Sequence, residues 1–357
     1  MSILFIGKRF YTNRDAYTER FGRIYQLPYH WSKETKINLW LIDYHSREKI
    51  NTIHADLNIT ATPILSILFL LNTFKSIFLI RPKMIVASGD CYIGLFSFIL
   101  AKLCKAKFIF DVYDKYDTFS GYKNLGFKNL FHFLLKKADT CMFASKKFKD
   151  DCEQICKKTI LAPNGINTSQ FYPRNKFISR KYFNLNNNNF YLGYFGSMEE
   201  ERGIDDLINT VIHLRKSNDN VYILLGGKKR EDLNIDKKII HYLGNLNYKD
   251  VPIAMACCDV LTLPYRDSEF LNNASSCKIN EYLAMQIPIL ATKNQGIMQN
   301  FNHSSIMYVS LNSDIEFLLH KLKNIQDYGK NTCINDDISW ESIANKIISH
   351  MNSSADI

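Results

Sequence analysis

The sequence predicts an α/β protein of two doubly wound, Rossmann-like domains facing across a cleft. Three observations predict it. Short buried strands alternate with helix-length segments through the first half, the same alternation restarts at Phe190, and a turn-rich stretch at 163–173 lies between them as the hinge candidate. At 357 residues the chain is long enough for two separate cores.

Taken in order, Ser2-Ile3-Leu4-Phe5-Ile6-Gly7 opens directly as a buried strand, with no basic leader before it. That start points to a cytoplasmic protein without a signal peptide. Further first-half strands are expected at 39–44, 84–89, 108–114, 141–144 and 160–163. Residues 64–80 form the most lipid-like stretch, yet Asn72 and Lys75 interrupt it and Pro63 and Arg81 bound it. It is too broken to span a bilayer and reads as a packed crossover helix. In the second half, strands are expected at 190–196, 221–226, 239–243, 260–264 and 288–292, with residues 186–189 as a short polar loop. The expected domains are 1–165 and 166–340, with a terminal helix and tail at 341–357 placed to pack back on the first domain; the family resemblance given below implies that the first is the acceptor-side domain and the second the nucleotide-sugar-binding domain.

The most informative segment runs from the strand end near Tyr265 through a polar loop into a helix whose first turn holds Lys278. A cation there opposes the helix dipole, and an acid would be favoured by about 0.3–1 kcal/mol. A bound phosphate removes the conflict. Glu281, one turn on, shares the face of Lys278 and has the acceptor oxygens to hold a pair of sugar hydroxyls. The same spacing also suits an ordinary surface ion pair, so both readings stand on these residues alone. Arg202-Gly203 follows Glu199, Glu200 and Glu201 at the start of a second helix, Ile204 to Leu214, where backbone N–H groups and a guanidinium can meet an oxyanion. A surface arginine beside capping acids is the plainer account.

In the first half, Ser88-Gly89-Asp90 and Asp111 to Asp117 put carboxylates at the carboxyl edge of the sheet, where open α/β folds bind ligands. Asp114 is the candidate ligand-facing residue of this edge, on the acceptor side in the family resemblance given below. Arg20 and Arg23, at a helix start, are either phosphate contacts or solvated arginines on an amphipathic helix.

Composition narrows the partners. Lys+Arg 45 against Asp+Glu 35 gives +10, but no nucleic-acid-binding motif accompanies the charge. Residues 122–137 interleave Lys123, Lys128, Lys136 and Lys137 with Leu125, Phe127, Leu130, Phe131, Phe133 and Leu134. Such a helix can lie on an anionic leaflet, peripheral to the inner face of a membrane, or can face the core with its lysines in solvent. Nine cysteines with no CxxC read as reduced core thiols, and Cys152 with Cys156 has no clustered histidines to complete a metal site.

The order of the pieces carries a family resemblance. Tyr194-Phe195-Gly196-Ser197, Arg202-Gly203-Ile204-Asp205, Ile223-Leu224-Leu225-Gly226-Gly227, Leu243-Gly244-Asn245-Leu246, Leu263-Pro264-Tyr265 and Lys278…Glu281-Tyr282-Leu283-Ala284 resemble the nucleotide-sugar domain of GT-B glycosyltransferases, in particular family 4. Ala162-Pro163-Asn164-Gly165-Ile166-Asn167 and Phe171-Tyr172-Pro173 match the interdomain signature of that family, and the resemblance covers nearly the whole chain.

The resemblance implies a retaining transferase that needs no cofactor or metal and takes a nucleoside diphosphate sugar, a uridine diphosphate sugar first among them. Its acceptor would be a glycan or a polyprenyl-diphosphate-linked glycan of surface polysaccharide synthesis. Glu281 would hold the ribose, Lys278 and Arg202 the diphosphate, and Ser197, Leu246, Asn273, Ser275 and Ser276 would complete the donor site. The chain departs from the pattern at Asn273, where the family carries an acid, at Gly196-Ser197, where it carries Gly-Arg, and at Tyr113, where many members carry histidine. Asn273 can still bond a sugar hydroxyl but carries no charge. These departures leave two alternatives open: a GT-B nucleotide-sugar epimerase, and a catalytically weak binding subunit of a membrane-associated complex.

Overall fold

A computed structural model describes residues 2–11, 14–118, 122, 129–268, 271–272, 277–300, 306–310 and 338–352. The chain divides into two compact units, one built from Met1–Gly165 and Ser339–Ile357, the other from Ile166–Asn272 and Ser276–Ile338.

The first unit is an eight-stranded sheet. In chain order its strands are β1 (Ser2–Lys8), then a short hairpin β2 (Phe10–Tyr11) and β3 (Arg14–Asp15) outside the sheet, β4 (Lys36–Asp43), β5 (Ile50–His54), β6 (Leu57–Pro63), β7 (Met84–Ser88), β8 (Lys107–Val112), β9 (Thr140–Phe143) and β10 (Thr159–Leu161). They lie in the order β10-β9-β8-β7-β1-β4-β6-β5, every pair parallel except the β5–β6 hairpin. The central strands β1, β7 and β8 are apolar and buried along almost their whole length, as a sheet covered on both faces requires. The helix Trp340–Asn352 belongs to this unit and packs on the helix Gly22–Ser32, where the Trp31 indole donates to the Ala344 carbonyl at 2.8 Å. Gly165 admits it: a methyl group there would come within 2.8 Å of the Trp340 backbone.

Two expectations for this unit are corrected. Residues 64–80 do form a helix, Ile67–Lys75, continued by the π-helical turn Ser76–Ile80 and packed on the core through Phe69 and Ile77, but most of its remaining apolar residues face outward. Ile67, Leu70, Leu71, Phe74, Phe78 and Leu79 are exposed while Asn72 and Ser76 are buried. Arg23, expected at a phosphate or in solvent, is buried instead. Its guanidinium grips Asp111 with two hydrogen bonds of 2.9 and 2.6 Å and donates to the Ala162 carbonyl and the Asn164 side chain, each at 3.0 Å.

The second unit is a six-stranded, wholly parallel sheet of β11 (Phe190–Phe195), β12 (Val221–Gly226), β13 (Ile240–Tyr242), β14 (Val260–Leu263), β15 (Ile289–Thr292) and β16 (Ile306–Val309), ordered β13-β12-β11-β14-β15-β16. β11 sits in the middle between β12 and β14, so the loops leaving these three strands emerge side by side at the carboxyl edge. A buried charge ties the opposite edge: Arg180 donates to Asp259 at 2.7 Å and to the Cys257 carbonyl at 2.9 Å.

Candidate active site

The carboxyl edge of the second sheet gathers the residues that the sequence singles out. Lys278 stands in the first turn of the helix Cys277–Ala284. Four residues on, and so on the same face, Tyr282 is fully buried, its hydroxyl accepting the Phe195 N–H at 3.1 Å. That bond docks the helix on the end of β11. It also lays Lys278 over the next residue, Gly196: a methyl group on Gly196 would lie 2.7 Å from the ammonium and strike the side-chain stem. Gly196 has φ +150° and Gly227 φ +126°, and a methyl group on Gly227 would strike the Gly196 carbonyl. Two bare glycine backbones thus meet beneath one ammonium, and each needs glycine because a side chain would both collide and strain. Glu281, half-buried, follows Lys278 by three residues on this helix.

Arg202 reaches the same edge from another side. It closes the 3-10 turn Glu200–Arg202, and Gly203, left-handed at φ +66°, turns the chain into the helix Ile204–Leu214. The turn is docked on the loop after β14, since the Arg266 N–H donates to the Glu201 carbonyl at 2.9 Å and a methyl group on Gly203 would strike the Pro264 carbonyl. The Arg202 guanidinium lies over the buried Tyr265 ring at 4.9 Å, which orients a planar cation. Three of the neighbouring acids pair with other arginines. Arg266 pairs with Asp206 at 2.7 Å and with Glu200 at 3.5 Å, and Arg230 pairs with Asp205 at 2.6 Å.

Ser197 follows Gly196, and its carbonyl accepts the Tyr194 hydroxyl at 2.8 Å. Burial, then the nearby Tyr265, pushes that phenol well above its ordinary range, so Tyr194 is a neutral structural donor. Leu246 is half-buried, and its side chain packs against Gly226 at the end of β12. Arg202, Lys278, Glu281, Ser197 and Leu246 therefore lie around the ends of β11, β12 and β14. Asn273, Ser275 and Ser276 fall outside the described residues. Sequence reasoning assigns no role to Tyr282 or Tyr265; the i,i+4 spacing of Lys278 and Tyr282 is the available signal for the first, while nothing local marks the second.

In the first unit, Asp114 is buried in the turn after β8 and accepts the Tyr11 hydroxyl of the β2–β3 hairpin at 2.8 Å. Tyr113, in the position where the resemblance expects a histidine, packs edge-on against Tyr11 and donates to the Gly89 carbonyl at 3.2 Å. Burial, and then the Asp114 and Asp111 charges, hold its phenol well above the ordinary range, so it is no base at neutral pH. Asp111 is committed to Arg23 and to the Ser88 hydroxyl at 2.7 Å, and Asp90 caps the helix Cys91–Cys104 by accepting the Tyr92 and Ile93 N–H groups. Of residues 122–137, the described helix Leu130–Lys137 buries Leu130, Phe131, Leu134 and Leu135 and exposes Lys136 and Lys137, the core-facing arrangement. Lys123, Leu125, Phe127 and Lys128 fall outside the described residues.

Known proteins share the fold. Residues 189–327 match the family model described as glycosyl transferases group 1. The capsular polysaccharide biosynthesis glycosyltransferase CapM of Staphylococcus aureus is 22% identical over 187 residues, which are 50% of this chain and 46% of that protein. The match thus spans about half the length of the curated relative. Among solved structures, sucrose-phosphate synthase from Thermosynechococcus elongatus superposes with a TM-score of 0.71 at 14% identity, covering 99% of this chain and 98% of that one. Anabaena HepE in complex with UDP-glucose gives 0.71 at 14% identity over 99% and 100%. Two Rossmann-like domains of the GT-B kind are the shared architecture.

Proposed function

We propose that this chain, a glycosyltransferase of the GT-B fold, moves a sugar from a nucleoside diphosphate sugar to a glycan or polyprenyl-diphosphate-linked acceptor in surface polysaccharide synthesis, with retention at the anomeric carbon. Uridine diphosphate is the favoured carrier, in keeping with the UDP-glucose bound by Anabaena HepE. Placement within family 4 and a cytoplasmic site of action belong to the same reading.

The observation that carries it is the seat of Lys278 across Gly196, at the open end of a parallel sheet and in the first turn of a helix. A cation so placed opposes its own helix dipole until a dianionic group joins it. Glu281 offers its carboxylate to the ribose hydroxyls, and Arg202, held over Tyr265, is the second phosphate ligand. As the bond from the anomeric carbon to the diphosphate oxygen breaks, negative charge grows on the leaving group. Fixed cations and helix N–H groups stabilise that charge without having to reorganise. Asp114, held by Tyr11, is the acceptor-side carboxylate that orients the attacking hydroxyl. Ser275, Ser276 and Asn273 complete the donor contacts in this proposal.

The test is release of nucleoside diphosphate from uridine, guanosine, adenosine and thymidine diphosphate sugars, measured with and without a lipid-linked glycan acceptor. Acceptor-dependent release is expected. Conversion of the donor sugar without acceptor would point to epimerisation, and no turnover of any donor would overturn the transferase reading.

A further inference from the structure

The helix Ile67–Lys75 with its π-turn Ser76–Ile80 packs on the core through Phe69, which meets Trp40 and Phe96, and through Ile77, but turns most of its other apolar residues outward. Asn72 is 8% exposed and Ser76 0%, whereas Ile67 is 77%, Phe74 57%, Phe78 60% and Leu79 77% exposed. The inward hydroxyl is satisfied within the helix, since Ser76 donates to the Asn72 carbonyl at 2.8 Å. A helix folding in water alone would bury its leucines and phenylalanines and turn the serine and asparagine outward. Leu65, Leu70 and Leu71 extend the outward apolar face, and the neighbouring helix Cys91–Cys104, which packs against the π-turn, adds exposed Ile99 and Leu103. A contiguous apolar surface of this kind marks a site of contact with another phase or another molecule.

The charge around it selects the occupant. From Leu57 to Phe110 the chain carries six basic residues, Lys75, Arg81, Lys83, Lys102, Lys105 and Lys107, and one acid, Asp90. Asp90 is engaged as the N-cap of the Cys91–Cys104 helix, whose far end bears Lys102 and Lys105. All six cations are exposed. Arg81 and Lys83 lead into β7, and the Lys107 N–H donates to the Lys83 carbonyl at 3.0 Å at the head of β8, so the basic residues rim the C-terminal ends of both helices. At nine plus five residues the helical segment is about 21 Å long, too short to cross a bilayer, and no described helix is long and apolar enough to do so.

We propose that this face is an interfacial docking surface for an anionic lipid bilayer: Ile67, Leu70, Leu71, Phe74, Phe78 and Leu79 enter the boundary between headgroups and acyl chains while the lysines and Arg81 meet the lipid phosphates. The surface lies elsewhere than the basic 122–137 segment, whose described helix turns Leu130, Phe131, Leu134 and Leu135 inward. It rests on the exposure and charge pattern and not on the transferase chemistry.

The experiment is co-sedimentation of the full chain with vesicles of phosphatidylcholine alone and of phosphatidylcholine with phosphatidylglycerol at about one lipid in three, enough to set a surface potential. Binding to the anionic vesicles that weakens as salt rises is expected. Phe74→Glu with Leu79→Glu should reduce partitioning by about 100-fold or more, and Lys75→Gln with Arg81→Gln and Lys83→Gln by about 10-fold or more. Both variants alter exposed side chains, so their melting temperatures should match the parent. Lys136→Gln with Lys137→Gln should bind like the parent. No binding by the parent, or equal binding by Phe74→Glu/Leu79→Glu, would overturn the proposal. So would a parental dimer, dissolved by those substitutions, in a protein that ignores vesicles, since the face would then cover a second copy of the chain.

Discussion

Gly196→Ala isolates the seat of Lys278. The added methyl group would lie 2.7 Å from the Lys278 ammonium and against its flexible stem, on a backbone at φ +150°. Two costs follow. Holding a residue with a β-carbon in that region strains the turn by about 1–3 kcal/mol. The lysine stem, the part that can move, must swing off Gly196, and losing one charge-assisted contact to a bound diphosphate costs about 1.5–3 kcal/mol. Donor binding should therefore weaken by roughly 10–100-fold, while most of the strain appears as lower stability. Calorimetric titration of a nucleoside diphosphate into the parent, Gly196→Ala, Lys278→Ala and the double variant separates the two effects. If the glycine acts through the lysine, the binding losses are strongly non-additive and the double variant binds like Lys278→Ala. Full additivity, or unchanged affinity in Gly196→Ala, would refute the reasoning.

Arg202→Ala and Lys278→Ala should each lower turnover by roughly 10²–10³-fold, as loss of one preorganised electrostatic donor does, with melting temperatures near the parent's; near-normal turnover in both would place the diphosphate elsewhere. Arg23→Met should destabilise the fold by about 3–5 kcal/mol in denaturant titrations, because Asp111, completely buried, is left without its counter-charge; a loss under about 1 kcal/mol would show that the pair does not hold the fold together. Asp43 is buried, which alone would raise its pKa, but the Ser46 hydroxyl and N–H, the His45 N–H and Arg9 outweigh burial and hold the carboxyl below its ordinary value. With a depressed folded pKa, its stabilisation is present above about pH 4 and is lost as pH falls through the folded value. Melting curves from mildly acidic pH downward should therefore show an acid limb that is shallower in Asp43→Asn, and identical limbs would contradict the assignment.

What can be read from the sequence divides along physical lines. The buried parallel strands are legible because continuous apolar runs too short for a helix and closed by glycine, Ile3–Ile6 in β1 and Ile223–Leu225 in β12, suit a sheet covered on both faces. Lys278 stands out because its sign is wrong for a helix start, a conflict that a bound anion would remove. The β5–β6 hairpin escapes such a reading because Leu57–Pro63 alternates apolar with small and polar residues at the sheet margin, where no apolar run announces a strand. Arg23 reads as solvated because a charge on an amphipathic helix gives no sign of burial until its partner, 88 residues away, is in place. Residues 64–80 show a further limit: apolar content says that a segment avoids water, but not whether protein or lipid replaces it.

The central claim, a nucleoside diphosphate held between Lys278 and Glu281, is tested most directly by the melting temperature of the full chain with and without uridine, guanosine, adenosine and thymidine diphosphates, in the parent and in Glu281→Ala. A ligand at about 100 times its dissociation constant adds about 2.7 kcal/mol of stability. A melting shift of several degrees with at least one of them, uridine diphosphate foremost, and loss of most of that shift in Glu281→Ala, is the predicted result. No shift with any of the four, or a full shift in Glu281→Ala, would contradict it.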